Sequence, residues 1–328
     1  MKNEYILEVY NLKKYFPLEK SFIEKLLTRK KRFVRAVDGI SFKIRRGEVF
    51  TLAGETGCGK TTTGRLILRL LEPTEGKIIF DGQDITHLTG EDLRKIRRRM
   101  QPIFQDPYAS LNPRMKVGEA IKQPLEIHQI ATGDEAKSLV LDMLEKVGLI
   151  PPEKFYELYP RDLSGGQRQR VSIARAMIMK PEFIVADEAV SMIDVSLKAA
   201  ILEIMMQFKK ELNLTYLFIT HELAVAKYIS DRIAVMYLGK IVELAPTKKI
   251  FNNPIHPYTK ALMAAIPVPN PTRKKKLVLT GEVPVSPIDV PSGCRFHPRC
   301  PMAYEKCSKE EPPLIEVEPE HYVACWKS

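Results

Sequence analysis

Several short apolar runs punctuate the chain, and the polar residues that end them carry chemistry. Val49-Phe50-Thr51-Leu52-Ala53 reads as a buried strand that runs into a glycine-rich stretch. Phe183-Ile184-Val185-Ala186 reads as a strand ending in Asp187-Glu188, and Tyr216-Leu217-Phe218-Ile219-Thr220 is another apolar run, ending at His221. Thr62 to Leu71 reads as a helix, and Leu139, Leu141, Met143, Leu144, Val147 and Leu149 suit one amphipathic helix. Residues 5 to 100 are strand-rich, with Asp81-Gly82 a hairpin-type turn. Residues 105 to 165 read as mostly helical. Residues 167 to 245 alternate helix and strand, ending in a hairpin of Ile233 to Met236 and Lys240 to Leu244 around Leu238-Gly239. The pattern predicts an α/β fold, and no internal repeat is evident. Beyond about Asn252, Pro254, Pro257, Pro267, Pro269 and Pro271 argue against long regular elements.

The glycine-rich stretch is Gly54-Glu55-Thr56-Gly57-Cys58-Gly59-Lys60-Thr61, followed by Thr62. It fits the P-loop pattern, in which glycines let backbone N–H groups converge on phosphate oxygens. Lys60 can reach the terminal phosphates and the Thr61 hydroxyl can ligate Mg²⁺. The helix that leaves the loop aims its positive end at the same place. A glycine-rich turn that binds nothing is the bland alternative, and the strand–loop–helix context speaks against it. Asp187 is placed to hold Mg²⁺ through its water shell, and Glu188 to orient or deprotonate an attacking water.

Leu163-Ser164-Gly165-Gly166-Gln167 lies between the P-loop and the Asp-Glu strand. Alone it could be an ordinary helix start with Ser164 as N-cap. In this order of motifs, roughly Tyr5 to Ala265 resembles the ATP-binding cassette (ABC) family. The resemblance implies a P-loop NTPase with a RecA-like core, an antiparallel β subdomain and an α-helical subdomain at about 106–165. It also implies that Gln105, in Ile103-Phe104-Gln105-Asp106-Pro107, is the Q-loop residue, and that His221 is the switch histidine contacting the γ-phosphate. Ser164, Gly165, Gly166 and Gln167 would cap the ATP held by a partner subunit, and Asp194 would be the D-loop aspartate. The D-loop departs from the family's usual Pro-Thr-Ser-Ala-Leu-Asp, reading Ala189-Val190-Ser191-Met192-Ile193-Asp194. Phe16 is the first candidate for stacking on adenine, Tyr15 the second, and Phe33 stays open because an insertion, roughly Leu18 to Phe33, intervenes.

The 328 residues, 45% of them hydrophobic, suffice for one large core and an appendage. No segment reaches the ~20 uncharged apolar residues of a membrane span, and charges throughout Met1 to Lys20 argue against a signal peptide. The net charge of +11 gathers at Arg29–Arg32, Arg94–Arg99 and Arg273–Lys276. No interleaved aromatic motif accompanies these clusters, so they do not indicate nucleic-acid binding. Four of the five cysteines, Cys294, Cys300, Cys307 and Cys325, lie in the tail, with Cys58 in the P-loop. For a cytosolic ATPase such a cluster favours metal over disulfides. Zinc, with His297 and His321 in reserve, an iron–sulfur cluster and unligated thiols all stay open on the residues alone.

Asn253-Pro254-Ile255-His256-Pro257-Tyr258-Thr259-Lys260-Ala261-Leu262 and Gly293-Cys294-Arg295-Phe296-His297-Pro298-Arg299-Cys300-Pro301 resemble the tail of cassettes in oligopeptide and dipeptide importers. The division implied is an ATP-binding domain over 1–265 and a cysteine-containing extension over 266–328. That resemblance implies a [4Fe-4S] cluster on Cys294, Cys300, Cys307 and Cys325 beside ATP and Mg²⁺. It implies a second cassette, two transmembrane permease subunits and an extracytoplasmic solute-binding protein as partners, with the chain peripheral on the cytoplasmic face of the membrane. The expected function is ATP hydrolysis that drives import of peptides or a related solute by dimer closure. A non-transport ABC ATPase is the alternative, disfavoured by the lack of a sustained heptad region and of a second cassette. A P-loop kinase has no use for the signature.

Overall fold

The computed structural model describes residues 3–18, 32–191, 193–266, 288 and 290–328. Most of the insertion after Leu18, the basic residues Arg29–Lys31 and Arg273–Lys276, Met192, and Pro267, Pro269 and Pro271 lie outside the described residues. In chain order the strands are β1 (Tyr5–Pro17), β2 (Phe33–Arg45), β3 (Val49–Ala53), β4 (Glu75–Phe80), β5 (Gln83–Asp84), β6 (Met100–Ile103), β7 (Phe183–Asp187), β8 (Thr215–Thr220), β9 (Arg232–Tyr237), β10 (Lys240–Pro246), β11 (Ile315–Glu318) and β12 (His321–Val323). Two compact units are present. One comprises the described residues of Met1–Ile44, Phe50–His87 and Thr220–Ser328, and the other Arg45–Val49 and Leu88–Ile219.

The first unit holds a four-stranded sheet in the order β2-β1-β4-β5 and a run of strands in the order β11-β12-β10-β9-β3. Strand β3 pairs in parallel with β9, Phe50 opposite Arg232 and Ala53 opposite Val235. All of β3 is buried, as a strand covered on both faces requires. Two tight turns use the left-handed conformation at both central positions, Asp81-Gly82 between β4 and β5 and Leu238-Gly239 between β9 and β10. That backbone matches the twist of paired strands, and the expected hairpins form around it. The helix after the P-loop is Lys60–Ile67, shorter than the expected Thr62 to Leu71. Arg69 adopts φ +54° and ends it, while its Nε donates to the Ile85 carbonyl.

The second unit holds β6, β7 and β8 as neighbouring parallel strands. Its helices include Pro107–Ser110, Val117–Ile127, Gly133–Lys146, Pro152–Glu157, Gly165–Met177 and Val195–Leu212. The expected amphipathic helix spans Gly133–Lys146 and buries Ala136, Val140, Met143 and Leu144. It ends before Leu149 because Gly148 takes φ +72°. Arg170 then caps the exposed end, its Nη1 donating to the Val147 carbonyl at 2.7 Å.

The tail buries its aromatic side chains in a core shared with β9 and β10. Among its described residues the elements are short, and β12 pairs antiparallel with β10, and β11 with β12. Tyr258 and Phe296 are buried against Tyr237, with ring centroids 4.7 and 5.3 Å from it. Glu243 of β10 is wholly buried and accepts from His321 Nε2 at 2.7 Å and from the Ile255 and His256 amides. A buried carboxylate with three donors is a satisfied one, and here the donors come from the tail.

Just ahead of β6 and β7, Glu182 accepts from Arg99 Nε at 2.6 Å and Arg46 Nη1 at 3.2 Å. The hydrogen bond from Arg99 holds its pKa below the usual carboxylate value, against the opposing effect of burial. A lowered folded-state pKa contributes stability above the ordinary carboxylate value, lost as pH falls through the folded value. Glu182→Gln is therefore expected to cost no more than about 1 kcal/mol at pH 7, because the pair is solvent-screened. Urea midpoints at pH 7 and pH 4 check this: the gap between the two proteins should shrink on acidification.

Candidate nucleotide site

The P-loop is shaped by what cannot fit beside it. Gly54 has φ +150°, and a Cβ there would lie 2.3 Å from the Met236 carbonyl oxygen. Gly59 has φ +107°, and a Cβ there would lie 2.1 Å from the Ala36 carbonyl oxygen. No L side chain meets either demand, so only glycine lets the loop close this tightly. The Gly239 amide donates to the Cys58 carbonyl at 2.8 Å, tying the loop to the β9–β10 turn. Cys58 itself is buried, and burial pushes its thiol pKa up despite nearby Lys60. Lys60 Nζ lies on the loop's own carbonyls, at 2.8 Å from Gly54 O and 2.9 Å from Glu55 O. Thr56 and Gly57 form the exposed crest, Thr61 and Thr62 are partly buried, and Thr63 Oγ1 donates back to Gly59 O.

Phe16, Tyr15 and Phe33 precede that loop in sequence, and His221 lies far beyond it. Phe16 sits half-buried in β1, with Lys14 Nζ 5.2 Å from its ring centroid. Tyr15 is committed elsewhere: its hydroxyl donates to Asp38, and burial with that carboxylate pushes its pKa up to about 12. Phe33 is exposed at the start of β2. His221 is exposed directly after β8.

Residues that sequence reasoning did not assign also touch the loop. Arg299 Nη1 and Nη2 donate to the two carboxylate oxygens of Glu55, at 3.0 and 3.2 Å. Tyr258 Oη accepts from the Glu55 amide at 2.9 Å. Both residues lie inside the tail motifs quoted above, but nothing in their spacing points at the P-loop.

In the second unit, β7 delivers Asp187 buried at its end and Glu188 one step beyond. Glu188 takes φ +47°, a costly conformation for a non-glycine residue. It is held there by its amide on the Ile219 carbonyl at 2.9 Å, and by Ser191, whose amide and hydroxyl both donate to the Glu188 carbonyl. Ser191 thus fastens the corner where the family's usual proline is missing. Gln105 Nε2 donates to Glu188 Oε2 at 2.9 Å, so the structure brings these two candidates together. Asp194 is exposed at the N-cap position of Val195–Leu212.

The signature residues begin the helix Gly165–Met177. Ser164 Oγ accepts from the Gln167 amide, and Gln167 Oε1 accepts from the Ser164 amide at 2.9 Å, a reciprocal capping box. A Cβ on Gly165 would meet nothing within 4 Å, whereas one on Gly166 would press on Leu197. The helix is tied to the segment after Gln105 by Arg168, stacked 3.8 Å from the Tyr108 ring centroid, and by Arg175 Nη1 on the Ser110 carbonyl at 2.8 Å.

The four tail cysteines converge on one small cavity that His256, His297 and Trp326 also line. Burial pushes the Cys294 thiol up to about 11, and it raises Cys300 and Cys325 as well, with the neighbouring cysteines adding to it. Among the described residues, however, no three His, Cys, Asp or Glu side chains stand close enough to hold a metal ion as placed. The expected metal centre is therefore not supported by side-chain placement, only by the shared cavity. His321, one of the two histidines kept open for zinc, is committed to Glu243 and does not line that cavity.

Comparison with known proteins gives the family. Residues 37–191 match the ABC transporter family, and residues 242–307 match the oligopeptide/dipeptide transporter C-terminal region. The oligopeptide transport ATP-binding protein AppF of Bacillus subtilis is 48% identical over 98% of this chain and 97% of its own. The dipeptide transport ATP-binding protein DppF of Haemophilus influenzae is 44% identical over 99% of this chain and 97% of its own. Among solved structures, the dimeric post-hydrolysis state of the cassette MJ0796 bound to ADP and Pi is 27% identical, with a TM-score of 0.64. It covers 74% of this chain and 98% of that one. CbiO1 from Clostridium perfringens, part of the transporter complex cbiONQ, is 26% identical with a TM-score of 0.63, over 76% of this chain and 92% of its own. The chain belongs to the ABC transporter family, among the ATP-binding subunits of the oligopeptide/dipeptide type.

Proposed function

We propose that the chain binds and hydrolyses ATP to energise import of oligopeptides, dipeptides or a related solute. The observation that carries the hydrolytic reading is the Gln105–Glu188 hydrogen bond beside Asp187, at the end of a buried strand. Glu188 is the general base for the attacking water, and Gln105 fixes its carboxylate. Lys60 and the amides of Gly54 to Thr62 receive the β- and γ-phosphates, His221 contacts the γ-phosphate, and Phe16 stacks on adenine. Thr61, Gln105 and Asp187 are all oxygen donors, the set that suits Mg²⁺, which supplies charge neutralisation to the phosphates when bound.

Ser164 to Gln167 and Asp194 serve the interface with a second cassette, identical or homologous. Gly165 supports this, since its open Cα lets another molecule approach the helix start closely. Two permease subunits and an extracytoplasmic solute-binding protein complete the assembly, with the cassette on the cytoplasmic membrane face. No helix among the described residues is long and apolar enough to cross a membrane. We assign 1–265 to the ATP-binding domain, with its helical subdomain at about 106–165, and 266–328 to the extension.

Cys294, Cys300, Cys307 and Cys325 would hold a [4Fe-4S] cluster, whose contribution is structural. Burial favours the neutral thiols of Cys294, Cys300 and Cys325, so such binding would release protons from them.

Glu188→Gln is expected to retain ATP binding, to accumulate a closed dimer with MgATP on size exclusion, and to lose about 10²–10⁴-fold in phosphate release. Hydrolysis at the wild-type rate refutes the base assignment. Anaerobic purification should yield about four iron and four sulfide per chain, both lost in Cys300→Ser. Metal-free protein, or zinc in place of iron, refutes the cluster.

A further inference from the structure

We propose that Arg299 is a positioning residue for the P-loop, and that through it the four-cysteine module of the tail sets the affinity for nucleotide. The proposal rests on the P-loop reading and adds a regulator to it. Arg299 is 4% exposed, and both terminal nitrogens grip the Glu55 carboxylate as a two-pronged fork. The same guanidinium lies 3.4 Å from the Tyr237 hydroxyl, while its Nε is buried with no hydrogen-bond partner among the described residues. Burial with an unsatisfied donor is costly, so the fold keeps this side chain inside for the sake of the fork.

Glu55 is a member of the loop and is held at every polar group. Its carboxylate meets Arg299, its amide meets Tyr258, and its carbonyl accepts from Lys60 Nζ. Loosening the carboxylate therefore loosens the carbonyl that positions the phosphate-binding lysine.

Arg299 is in turn carried by the cysteines. It closes the 3₁₀ turn His297–Arg299, with Cys294 and Cys300 on either side. The His297 amide donates to Cys294 O, the Cys300 amide to His297 O, and the Cys294 amide to Cys307 O. A side-chain change at Cys294 or Cys300 acts on this turn through those backbone bonds, and a fork with two fixed bonds transmits the displacement to Glu55. Arg295, the neighbour of Cys294, makes a parallel link: it donates to Asp38, which also receives the Tyr15 hydroxyl.

The test uses the full chain assembled with its partner subunits and steady-state ATPase kinetics. Glu55→Gln and Arg299→Lys should each raise the KM for ATP about tenfold and leave kcat within about threefold, the pattern of lost ground-state binding. Cys300→Ser should raise KM in the wild-type background and have no further effect in the Glu55→Gln background. An unchanged KM in Glu55→Gln, or a Cys300→Ser effect of equal size in both backgrounds, overturns the proposal. Should Arg299→Lys destabilise the tail, Glu55→Gln decides alone, since it weakens the same pair from its partly exposed end. Lys60→Ala is the separate control. If that variant still binds ATP the P-loop reading itself fails, whatever the other variants show.

Discussion

A chain of phosphates can be met by backbone N–H groups only where no side chain stands in the way, and the first unit is organised around that demand. Gly54 and Gly59 turn back on the carbonyls of Met236 and Ala36 at distances that leave no room for a Cβ. Those carbonyls belong to β9 and β2, so both strands have to be in register before the loop can exist. The hairpin turn at Leu238-Gly239 adds an amide to the Cys58 carbonyl. Local sequence supplies the flexibility, and tertiary walls convert it into a fixed cradle.

The second unit solves a different problem, holding a carboxylate in a strained place. Glu188 follows a fully buried strand and takes a left-handed backbone, which neighbouring groups must enforce. Two bonds from Ser191 and one to Ile219 do so without the rigidity of a proline. Gln105 then orients the acid by a neutral contact that adds no charge. Arg168 and Arg175 connect the segment behind Gln105 to the signature helix, so a shift of one is felt by the other.

Much of this was legible in the residues because it depends on local order. Continuous apolar runs marked β3, β7 and β8, and paired turn residues marked both hairpins. Helix ends were less legible: Arg69 and Gly148 stop helices through backbone conformations that periodicity does not register. The tail was least legible. Its prolines argued against long regular elements and said nothing of what it packs on. Its stability comes from partners far away in sequence, Phe296 on Tyr237 and His321 on Glu243, the latter 78 positions apart. The contact of Arg299 with Glu55 spans 244 positions and leaves no periodic trace.

The capping box at Ser164 has a further consequence. A hydroxyl carries one proton and two lone pairs. Here a lone pair accepts the Gln167 amide, which starts the helix. The proton is not spent in that bond and can turn outward toward an anion without unwinding anything. The same atom can therefore serve architecture and recognition at once, and docking a negatively charged guest there demands no rebuilding of the helix start.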